Sequence, residues 1–265
     1  MIRKHIENFD LRQIAESGQC FRMAMQDGNT ARVVSDNKIL RVTNTGNGEF
    51  EFSCTDEEFD NIWYKYFDLG STYADYIYSI DPEDDFLQRA AAYGSGIRIL
   101  RQEPFETLIS FIISQRKNIP AIQASVEKLC RCCGEKITED IYAFPAPEAI
   151  AGLSDDELYD CSLGYRVPYV RETAGRIAAG ETDLETLREC DDDELFDRLL
   201  SFHGVGKKVA NCVMLFAYHR IAAFPVDVWI SRVEDKYYNG RFPVERYPGY
   251  AGVMQQYMFF YGRNQ

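Results

Sequence analysis

Residues 202–212, FHGVGKKVANC, place two glycines between two segments whose apolar residues recur at helical spacing. The segment before them is DDDELFDRLLSF, and the segment after them is KKVANCVMLFAYHR. Two helices joined by the short turn HGVG form a helix–hairpin–helix. Gly204 and Gly206 can adopt positive φ and leave backbone N–H groups exposed, which suit a DNA phosphate together with the free donors of the second helix. A plain tight connection between helices is the alternative.

The two lysines of this hairpin point in different directions when the second helix is wound at about 100° per residue. The expected core face holds Val209, Val213 and Phe216; a polar face holds Lys207, Asn211 and Tyr218; a third line holds Lys208, Cys212, Leu215 and His219. Lys207 is therefore predicted to contact a phosphate or solvent. Lys208, by contrast, heads a line of thiol and apolar groups.

Lys208 stands at a helix N-terminus, where the backbone dipole is positive and a cation is unfavourable. An amine attacks only after it loses its proton, and the ordinary pKa of lysine is about 10.4. The helix dipole, the ammonium group of Lys207 and partial burial would all lower that pKa. We therefore predict that Lys208 is an amine nucleophile, the alternative being a solvated surface side chain.

Asp227 lies at the start of a predicted helix in the segment FPVDVWISR. Its simplest interpretation is an ordinary N-cap. A carboxylate near the amine of Lys208 also suits the cleavage of a glycosidic bond, because the sugar becomes oxocarbenium-like and a fixed anion stabilises that charge. We predict that Asp227 has this catalytic role.

The first hundred residues are rich in β-strand signals. ARVV, KILRVT and EFEFSC read as strands separated by the turn segments SDN and NTGNG. Thr55 and Glu58 form the pattern of a capping box, so a helix is expected to follow the last strand. These signals predict a small antiparallel sheet with flanking helices.

Helical signals dominate from Asp81 onward, where Pro82 suits a first helical position with Asp81 as the cap. A second capping-box pattern occurs at Ser154, and about eight helices are expected in all. The predicted fold is α+β, with an N-terminal antiparallel sheet domain over residues 1–95. A mainly α-helical body with the hairpin at 202–212 and a C-terminal helix follows over residues 96–265.

The net charge of −13 and the pI near 4.8 argue against bulk attraction to nucleic acid. The charge is unevenly distributed, however, because residues 201–226 contain no acidic side chain. No signal peptide and no membrane-spanning apolar run is recognisable, so a cytoplasmic location is expected. The eight cysteines lack the spacing of disulfide or metal frameworks, and no metal site is expected at CRCC, residues 130–133.

Six blocks of the sequence match, in order, the blocks of one family of DNA repair enzymes. They are SGQCFRM, LRQEPFETLISFIIS, LGYRVPYV, HGVGKKVANC, PVDV and QQYMFF. Over nearly its whole length the chain resembles the helix–hairpin–helix DNA glycosylases and, more closely, the 8-oxoguanine DNA glycosylase/AP lyase family. The resemblance implies a monomeric enzyme that flips 8-oxoguanine out of double-stranded DNA, releases the base through a lysine Schiff base and nicks the strand by β-elimination.

The resemblance also implies roles for individual residues. Lys208 matches the lysine that attacks C1′ of the sugar, and Asp227 matches the catalytic aspartate. Gly18 matches the glycine whose backbone carbonyl accepts the N7–H of 8-oxoguanine, which guanine lacks. Cys212 and Phe259 match the pair that sandwiches the flipped base.

Further positions concern the edge of the lesion and the opposite base. Gln255 matches the side chain that reads the Watson–Crick edge, and Tyr165 and Arg166 match residues that enter the duplex and contact the unpaired base. At this second site the family commonly has an asparagine where this chain has Arg116. An arginine that reads the opposite cytosine is replaced by Ala121, so a relaxed preference for the opposite base is expected.

Two other positions also depart from the family. Trp229 replaces a histidine that contacts a phosphate, and His203 stands where the family often has proline. The resemblance implies no required cofactor and no structural metal, although it allows a monovalent cation held by the hairpin carbonyls.

Two alternatives to this function come from different classes. An endonuclease III-like or mismatch glycosylase typically carries four cysteines after the aspartate, whereas no cysteine follows Cys212 here. A non-catalytic DNA-binding module would explain Gly204, Gly206 and Lys207. Such a module would not explain the pair of Lys208 and Asp227, whose amine and carboxylate together suit the cleavage of a glycosidic bond.

Overall fold

A five-stranded antiparallel sheet forms the N-terminal part of the computed structural model, which describes residues 1–265. Its strands, in chain order, are β1 (Ile2–His5), β2 (Met23–Met25), β3 (Thr30–Ser35), β4 (Lys38–Gly46) and β5 (Glu49–Phe52). They lie side by side in the order β1-β5-β4-β3-β2. The three strands predicted from the sequence are confirmed and form the centre of the sheet. The two short edge strands, β1 and β2, were not predicted.

Alternation of side chains along the strands gives the sheet one buried face. Val33, Leu40 and Phe52 are fully buried on it, each from a different strand. Three helices accompany the sheet: α1 (Leu11–Glu16), α2 (Asp56–Glu58) and α3 (Tyr64–Tyr66), the last two joined by a π-helical turn at Phe59–Trp63. The next helix, α4 (Tyr73–Tyr78), packs against the core of the helical body. Trp63 from this π-helical turn and Phe67 pack into the sheet core.

The rest of the chain is a helical body, as predicted, with ten α-helices from residue 85 onward. They are α5 (Asp85–Tyr93), α6 (Pro104–Ser114), α7 (Ile119–Cys133), α8 (Pro147–Ala151), α9 (Asp155–Asp160), α10 (Val167–Ala178), α11 (Asp192–Leu200), α12 (Lys207–Phe216), α13 (Val228–Tyr237) and α14 (Ala251–Arg263). The expectation of about eight was low because short helices such as α8 give little periodic signal. No helix of the body is long and apolar enough to cross a lipid bilayer.

One of the predicted helix starts differs from the structure. The helix expected at Pro82 begins at Asp85, because the side chain of Asp84 accepts the backbone N–H of Leu87 at 2.9 Å and takes the N-cap position. The side chain of Asp81 instead accepts the N–H of Glu83 in the preceding turn.

Only one of the two capping boxes is complete. Thr55 accepts the N–H of Glu58, but the Glu58 carboxylate turns away to the indole N–H of Trp63 at 3.3 Å. In the second box the hydroxyl of Ser154 accepts the N–H of Glu157, and the Glu157 carboxylate accepts the N–H of Ser154 at 2.8 Å. The helix after each cap is present in both cases.

Two hydrophobic cores are present, one under the sheet and one inside the helical body. The side chains of α5, among them Phe86 and Leu87, belong to the helical core and pack beside α14. The division at residue 95 stays a prediction, since an element before that position already packs with the body that follows it.

Asp68 connects the elements around the two cores. Its carboxylate accepts the hydroxyl of Tyr73 at 3.1 Å and the guanidinium of Arg101 at 2.9 Å. Nε2 of His219 lies 3.0 Å from the same carboxylate, while burial, together with Arg101, lowers the pKa of this histidine to about 4. The Asp68 side chain is buried, and its backbone is left-handed with φ 50°.

We expect Asp68→Asn to lower the free energy of unfolding by about 2 kcal/mol, because it removes the charge of a buried, hydrogen-bonded carboxylate. Asparagine tolerates the left-handed backbone and has nearly the same shape. Urea denaturation followed by circular dichroism measures the change. Asp56→Asn is the control and should lower the free energy of unfolding by less than about 1 kcal/mol, because its carboxylate is exposed and its ion pair with Lys4 is a surface pair. Equal losses of stability in the two variants would contradict the role given to Asp68.

Candidate active site

A cavity of about 1040 Å³ opens between the sheet domain and the helical body. It is large enough for a nucleobase and its sugar, since small-molecule sites span about 300–1,000 Å³. Seven of the predicted site residues line it: Gly18, Arg116, Lys208, Cys212, Asp227, Gln255 and Phe259. The structure thus brings together residues from five separate regions of the chain. The hairpin glycines, Lys207, Tyr165 and Arg166 lie outside this wall.

Lys208 is the second residue of α12 and is half-buried, whereas Lys207 is exposed. Its Nζ atom lies 4.9 Å from the centre of the Phe111 ring, which forms part of the cavity wall. Cys212 follows one turn later and is buried. Burial raises the pKa of the Cys212 thiol, and the nearby Lys208 ammonium acts in the opposite direction. The amine therefore lies between an aromatic face and a neutral thiol.

Asp227 has the N-cap role considered for it, and its catalytic role stays a prediction. It is the N-cap of α13, and its Oδ1 atom accepts the N–H groups of Trp229 and Ile230, both at 2.9 Å. The same carboxylate lines the cavity that contains Lys208. The hydrogen bonds of the cap fix its orientation and leave Oδ2 without a partner in the protein.

Gly18 lies in the loop after α1 with φ +76°, a conformation that favours glycine. A Cβ atom at this position would lie 3.1 Å from Cε1 of Phe259 and 3.2 Å from Cδ1 of Ile119. The aromatic ring therefore packs directly against the Gly18 backbone. No donor of the protein reaches the Gly18 carbonyl, so this acceptor is free for a ligand.

The amide of Gln255 is held in one orientation. Its Nε2 donates to the carbonyl of Pro225 at 3.0 Å, and its Oε1 accepts from Nε2 of Gln256 at 3.0 Å. One N–H and one oxygen lone pair remain, and both hydrogen-bonding types can face a base edge.

Arg263 lines the cavity next to Phe259 and was not anticipated from the sequence. Its guanidinium lies 5.6 Å from the centre of the Phe259 ring and donates to the carbonyl of Glu16 at 2.6 Å. Its spacing of four residues from Phe259 on a helix was the available signal. Arg263 thereby ties the C-terminal helix to the loop that contains Gly18.

The hairpin has the expected form. Gly204 has φ +79°, and a Cβ atom there would lie 2.4 Å from the ring of Tyr169. Gly206 does not use its freedom to adopt positive φ; it has φ −99°, because it is the N-cap of α12 and caps have extended backbones. The backbone N–H groups of residues 206–209 have no acceptor in the protein. The Gly204 carbonyl accepts Nε2 of Gln115 at 3.1 Å.

The predicted core face of α12 is confirmed, but two residues assigned to its other faces, Tyr218 and His219, lie beyond its end. Val209, Val213 and Phe216 are buried in the helical core. Tyr218 was assigned to the polar face but is buried, and its hydroxyl donates to the carbonyl of Leu184 at 3.0 Å. The helix ends at Phe216, so helical winding reaches neither Tyr218 nor His219, whose ring lies against Asp68 instead of following Lys208 and Cys212.

Tyr165 and Arg166, the two residues predicted to enter the duplex, differ in exposure. Tyr165 projects from the surface with 48% exposure, and its hydroxyl lies 3.5 Å from the carbonyl of Gln115. Arg166 is buried, stacks 4.3 Å from the centre of the Tyr165 ring, and donates to the carbonyls of Leu163 and Gln115. Arg116 is exposed at the cavity rim with φ +52°. In this structure Tyr165 and Arg116 are therefore the side chains available to an opposite strand.

Comparison with known proteins shows which family this chain belongs to. The model of the N-terminal domain of 8-oxoguanine DNA glycosylase matches residues 1–108, and that of the HhH-GPD superfamily of base excision DNA repair proteins matches residues 109–241. A probable N-glycosylase/DNA lyase of Methanothermobacter thermautotrophicus is 32% identical over 213 residues, which are 68% of each chain. The N-glycosylase/DNA lyase of Saccharomyces cerevisiae is 36% identical over 158 residues, 54% of this chain and 42% of that one.

A solved structure agrees with these matches. The 8-oxoguanine glycosylase/lyase of Clostridium acetobutylicum, determined in complex with double-stranded DNA containing cytosine opposite 8-oxoguanine, superposes with a TM-score of 0.91 at 34% identity. The superposition covers 97% of this chain and 93% of that one. The resemblance and the fold predicted from the sequence are confirmed, and the chain belongs to the 8-oxoguanine DNA glycosylase family of the HhH-GPD superfamily.

Proposed function

We propose that this protein removes 8-oxoguanine from duplex DNA with Lys208 as the nucleophile and then nicks the strand. Its family consists of bifunctional N-glycosylase/DNA lyases of base excision repair. The observation that carries the residue-level proposal is the single cavity in which Lys208 and Asp227 meet Gly18 and Phe259. The amine of Lys208 and the surface of Gly18 and Phe259 that would read the base therefore line one cavity that can hold a single nucleotide.

Recognition begins with extrusion of the damaged nucleotide into the cavity, since the reacting atoms are inaccessible inside a duplex. The base stacks between the ring of Phe259 and the thiol of Cys212. The free carbonyl of Gly18 then accepts the N7–H of 8-oxoguanine. Guanine presents a lone pair at N7, so two acceptors would face each other and leave a buried polar group unpaired, which costs about 1–3 kcal/mol.

Base release follows from attack by the neutral amine of Lys208 on C1′ of the sugar. A bond forms between Nζ and C1′ while the N-glycosidic bond breaks, and the base departs with the bonding electron pair and gains a proton. The positive charge that develops on the sugar lies near the Asp227 carboxylate. At an effective dielectric near 20 such a charge pair is worth about 4 kcal/mol at contact distance.

Strand cleavage uses the intermediate formed in the first step. Opening of the sugar ring gives a protonated Schiff base between Lys208 and C1′, which acidifies the C2′ proton. Loss of that proton drives β-elimination, in which the 3′ phosphate leaves with its bonding electrons. These steps require no electron acceptor, so the proposal includes no redox cofactor.

The hairpin is the proposed grip on the DNA backbone. The backbone N–H groups of residues 206–209 have no acceptor in the protein, and Lys207 among them is exposed, so this helix start can donate to a phosphate. This local site offsets the repulsion expected from a net charge of −13.

Borohydride trapping tests the proposal directly. Wild-type protein incubated with an 8-oxoguanine duplex and sodium borohydride should become covalently attached to the DNA, because the reagent reduces the Schiff base. An undamaged duplex is the control and should give no adduct. A protein that binds the lesion duplex without forming an adduct would be the non-catalytic binding module instead.

A relaxed preference for the opposite base is the next expected result. Ala121 is exposed in the first turn of α7, and its methyl group offers no donor to cytosine. A guanidinium contact to a base is worth about 1–3 kcal/mol, so single-turnover rates opposite C, A, G and T should stay within about tenfold of one another. Ala121→Arg, which places a guanidinium on the same exposed turn, should increase the advantage of cytosine. A strong cytosine preference in the wild-type protein would contradict this prediction.

A further inference from the structure

We propose that Gln19 is a positioning residue for the carbonyl of Gly18, so that recognition of 8-oxoguanine depends on a buried side-chain amide that does not touch the base. The inference rests on the proposed function, since it requires that the Gly18 carbonyl accept the N7–H of the extruded base. Gly18 lines the cavity, whereas Gln19 is fully buried and absent from the cavity wall. Any influence of Gln19 on the base therefore acts through Gly18.

The side chain of Gln19 is held by hydrogen bonds at both ends of its amide. Its Nε2 atom donates to Oγ of Ser17 and to the carbonyl of Arg98, both at 2.9 Å. Its Oε1 atom accepts the backbone N–H of Leu100 at 2.8 Å. The hydroxyl of Ser17 itself donates to the carbonyl of Ile14 at 2.8 Å, so the oxygen of that hydroxyl is left to accept. An amide turned by 180° would lose all of these contacts, and the side chain therefore has one orientation.

The backbone of Gln19 is also held, and this sets the direction of the Gly18 carbonyl. The Gln19 carbonyl accepts Nε2 of Gln102 at 2.7 Å. The Gly18 carbonyl and the Gln19 N–H belong to one planar peptide unit, so the carbonyl turns only if the backbone of Gly18 or Gln19 rotates. Ser17 on one side of this unit and Gln19 on the other are joined by the same amide. The acceptor is thereby oriented before a base arrives.

Gln102 extends this network to the helix that carries Cys212. The backbone N–H of Gln102 donates to the carbonyl of Phe216 at 2.8 Å, and Phe216 is the last residue of α12. Cys212 lies one turn earlier on that helix and lines the cavity. In the proposed complex the hydrogen bonds of Gln19 therefore connect the acceptor for N7–H with the helix on which the base stacks.

Burial alone does not explain an amide at position 19. A buried amide is tolerated only when its donors and acceptor are paired, as they are here. An apolar side chain of similar length would fill the same space without selecting a direction for the neighbouring peptide unit. The amide therefore adds orientation to the loop that contains Gly18.

Equilibrium binding of two duplexes tests this role. One duplex contains 8-oxoguanine, and the other contains an analogue in which carbon replaces N7, so that no N7–H can be donated. Both lesions carry a 2′-fluoro sugar, which slows release of the base enough for a titration. We expect the wild-type protein to bind the 8-oxoguanine duplex at least about tenfold more tightly, because the analogue leaves a buried acceptor unpaired. Fluorescence anisotropy measures both dissociation constants.

Gln19→Met keeps the length of the side chain and removes its hydrogen bonds to Ser17, Arg98 and Leu100. We expect this variant to reduce the preference for 8-oxoguanine to less than about threefold, because the Gly18 carbonyl is no longer held toward N7–H. Gln102→Met removes only the hydrogen bond to the Gln19 carbonyl from a half-buried position, and it should reduce the preference by about two- to threefold. If Gln19→Met does not fold, Gln102→Met decides the question.

Gln88→Met is the matched control. The Gln88 amide donates to the carbonyls of Ile80 and Asp81 and does not line the cavity. Its loss removes hydrogen bonds of the same kind, and the variant should keep the wild-type preference.

A merely structural role of Gln19 would have a different signature. Gln19→Met would then weaken binding of both duplexes equally, and an unchanged preference in that variant, or in Gln102→Met, would overturn the inference. Failure of the proposed recognition would already be visible in the wild-type protein, which would bind the two duplexes with equal affinity.

Discussion

Lys208→Gln is expected to abolish borohydride trapping on an 8-oxoguanine duplex and to lower the rate of base release by at least about 10³-fold. Glutamine has no nucleophilic amine, so neither the bond to C1′ nor the Schiff base can form. The variant should still fold and bind the lesion, since Lys208 is only half-buried and makes no ion pair. Denaturing gel electrophoresis measures both the adduct and the nicked strand.

Lys207→Gln is the matched control, because the two lysines are adjacent and undergo the same substitution. Lys207 is exposed on the outer side of α12, and its replacement should weaken binding without preventing trapping at saturating enzyme. If instead Lys207→Gln alone eliminated the adduct, the two roles would have to be exchanged. Reduced trapping in both variants at saturation would indicate damage to the hairpin and would contradict the assignment of Lys208.

Asp227→Asn is expected to lower the single-turnover rate of base release by about 10²–10³-fold while leaving stability nearly unchanged. Asparagine caps a helix as well as aspartate does, so the hydrogen bonds to Trp229 and Ile230 should remain. Only the negative charge near the developing sugar cation is removed. Quenched-flow kinetics on the 8-oxoguanine duplex, with thermal unfolding in parallel, measure the two effects.

Asp191→Asn provides the comparison for this substitution. Asp191 caps α11 and accepts the N–H of Glu194 at 2.9 Å, but it does not line the cavity. Its variant should retain both rate and stability. Asp227→Ala should lower the free energy of unfolding by about 1 kcal/mol in addition to the rate, because alanine cannot cap. A rate in Asp227→Asn equal to that of the wild-type protein would show that this carboxylate serves only as a cap.

The central features of the fold could be predicted because their signals are local. The hairpin glycines, the faces of α12 and the strands β3, β4 and β5 depend on turn chemistry and on short-range periodicity. The edge strands β1 and β2 have four and three residues, too few for alternation to be recognised. The helix start at Asp85 was missed because Asp81, Asp84 and Asp85 lie close together and each of them suits a cap.

Only part of the candidate site could be predicted from the sequence. Lys208 and Asp227 could be proposed from helix phase and capping position, and the resemblance supplied Gly18 and Phe259. The burial of Arg166 could not be anticipated, because it depends on carbonyls from the end of α6 and the loop before α10 that meet only in the folded chain. Likewise, the contact of Arg263 with the Gly18 loop joins opposite ends of the sequence.

Gln115 has a consequence for how the two DNA strands would be held. Its side-chain amide donates to the carbonyl of Gly204 in the hairpin. Its backbone carbonyl accepts from the guanidinium of Arg166 and lies 3.5 Å from the hydroxyl of Tyr165. In the proposed complex the hairpin contacts the damaged strand and Tyr165 enters from the side of the opposite strand. Gln115 would therefore link the contacts to the two strands. In such a complex a base pair of unusual width would meet two contacts joined through one residue rather than two loops that adjust independently.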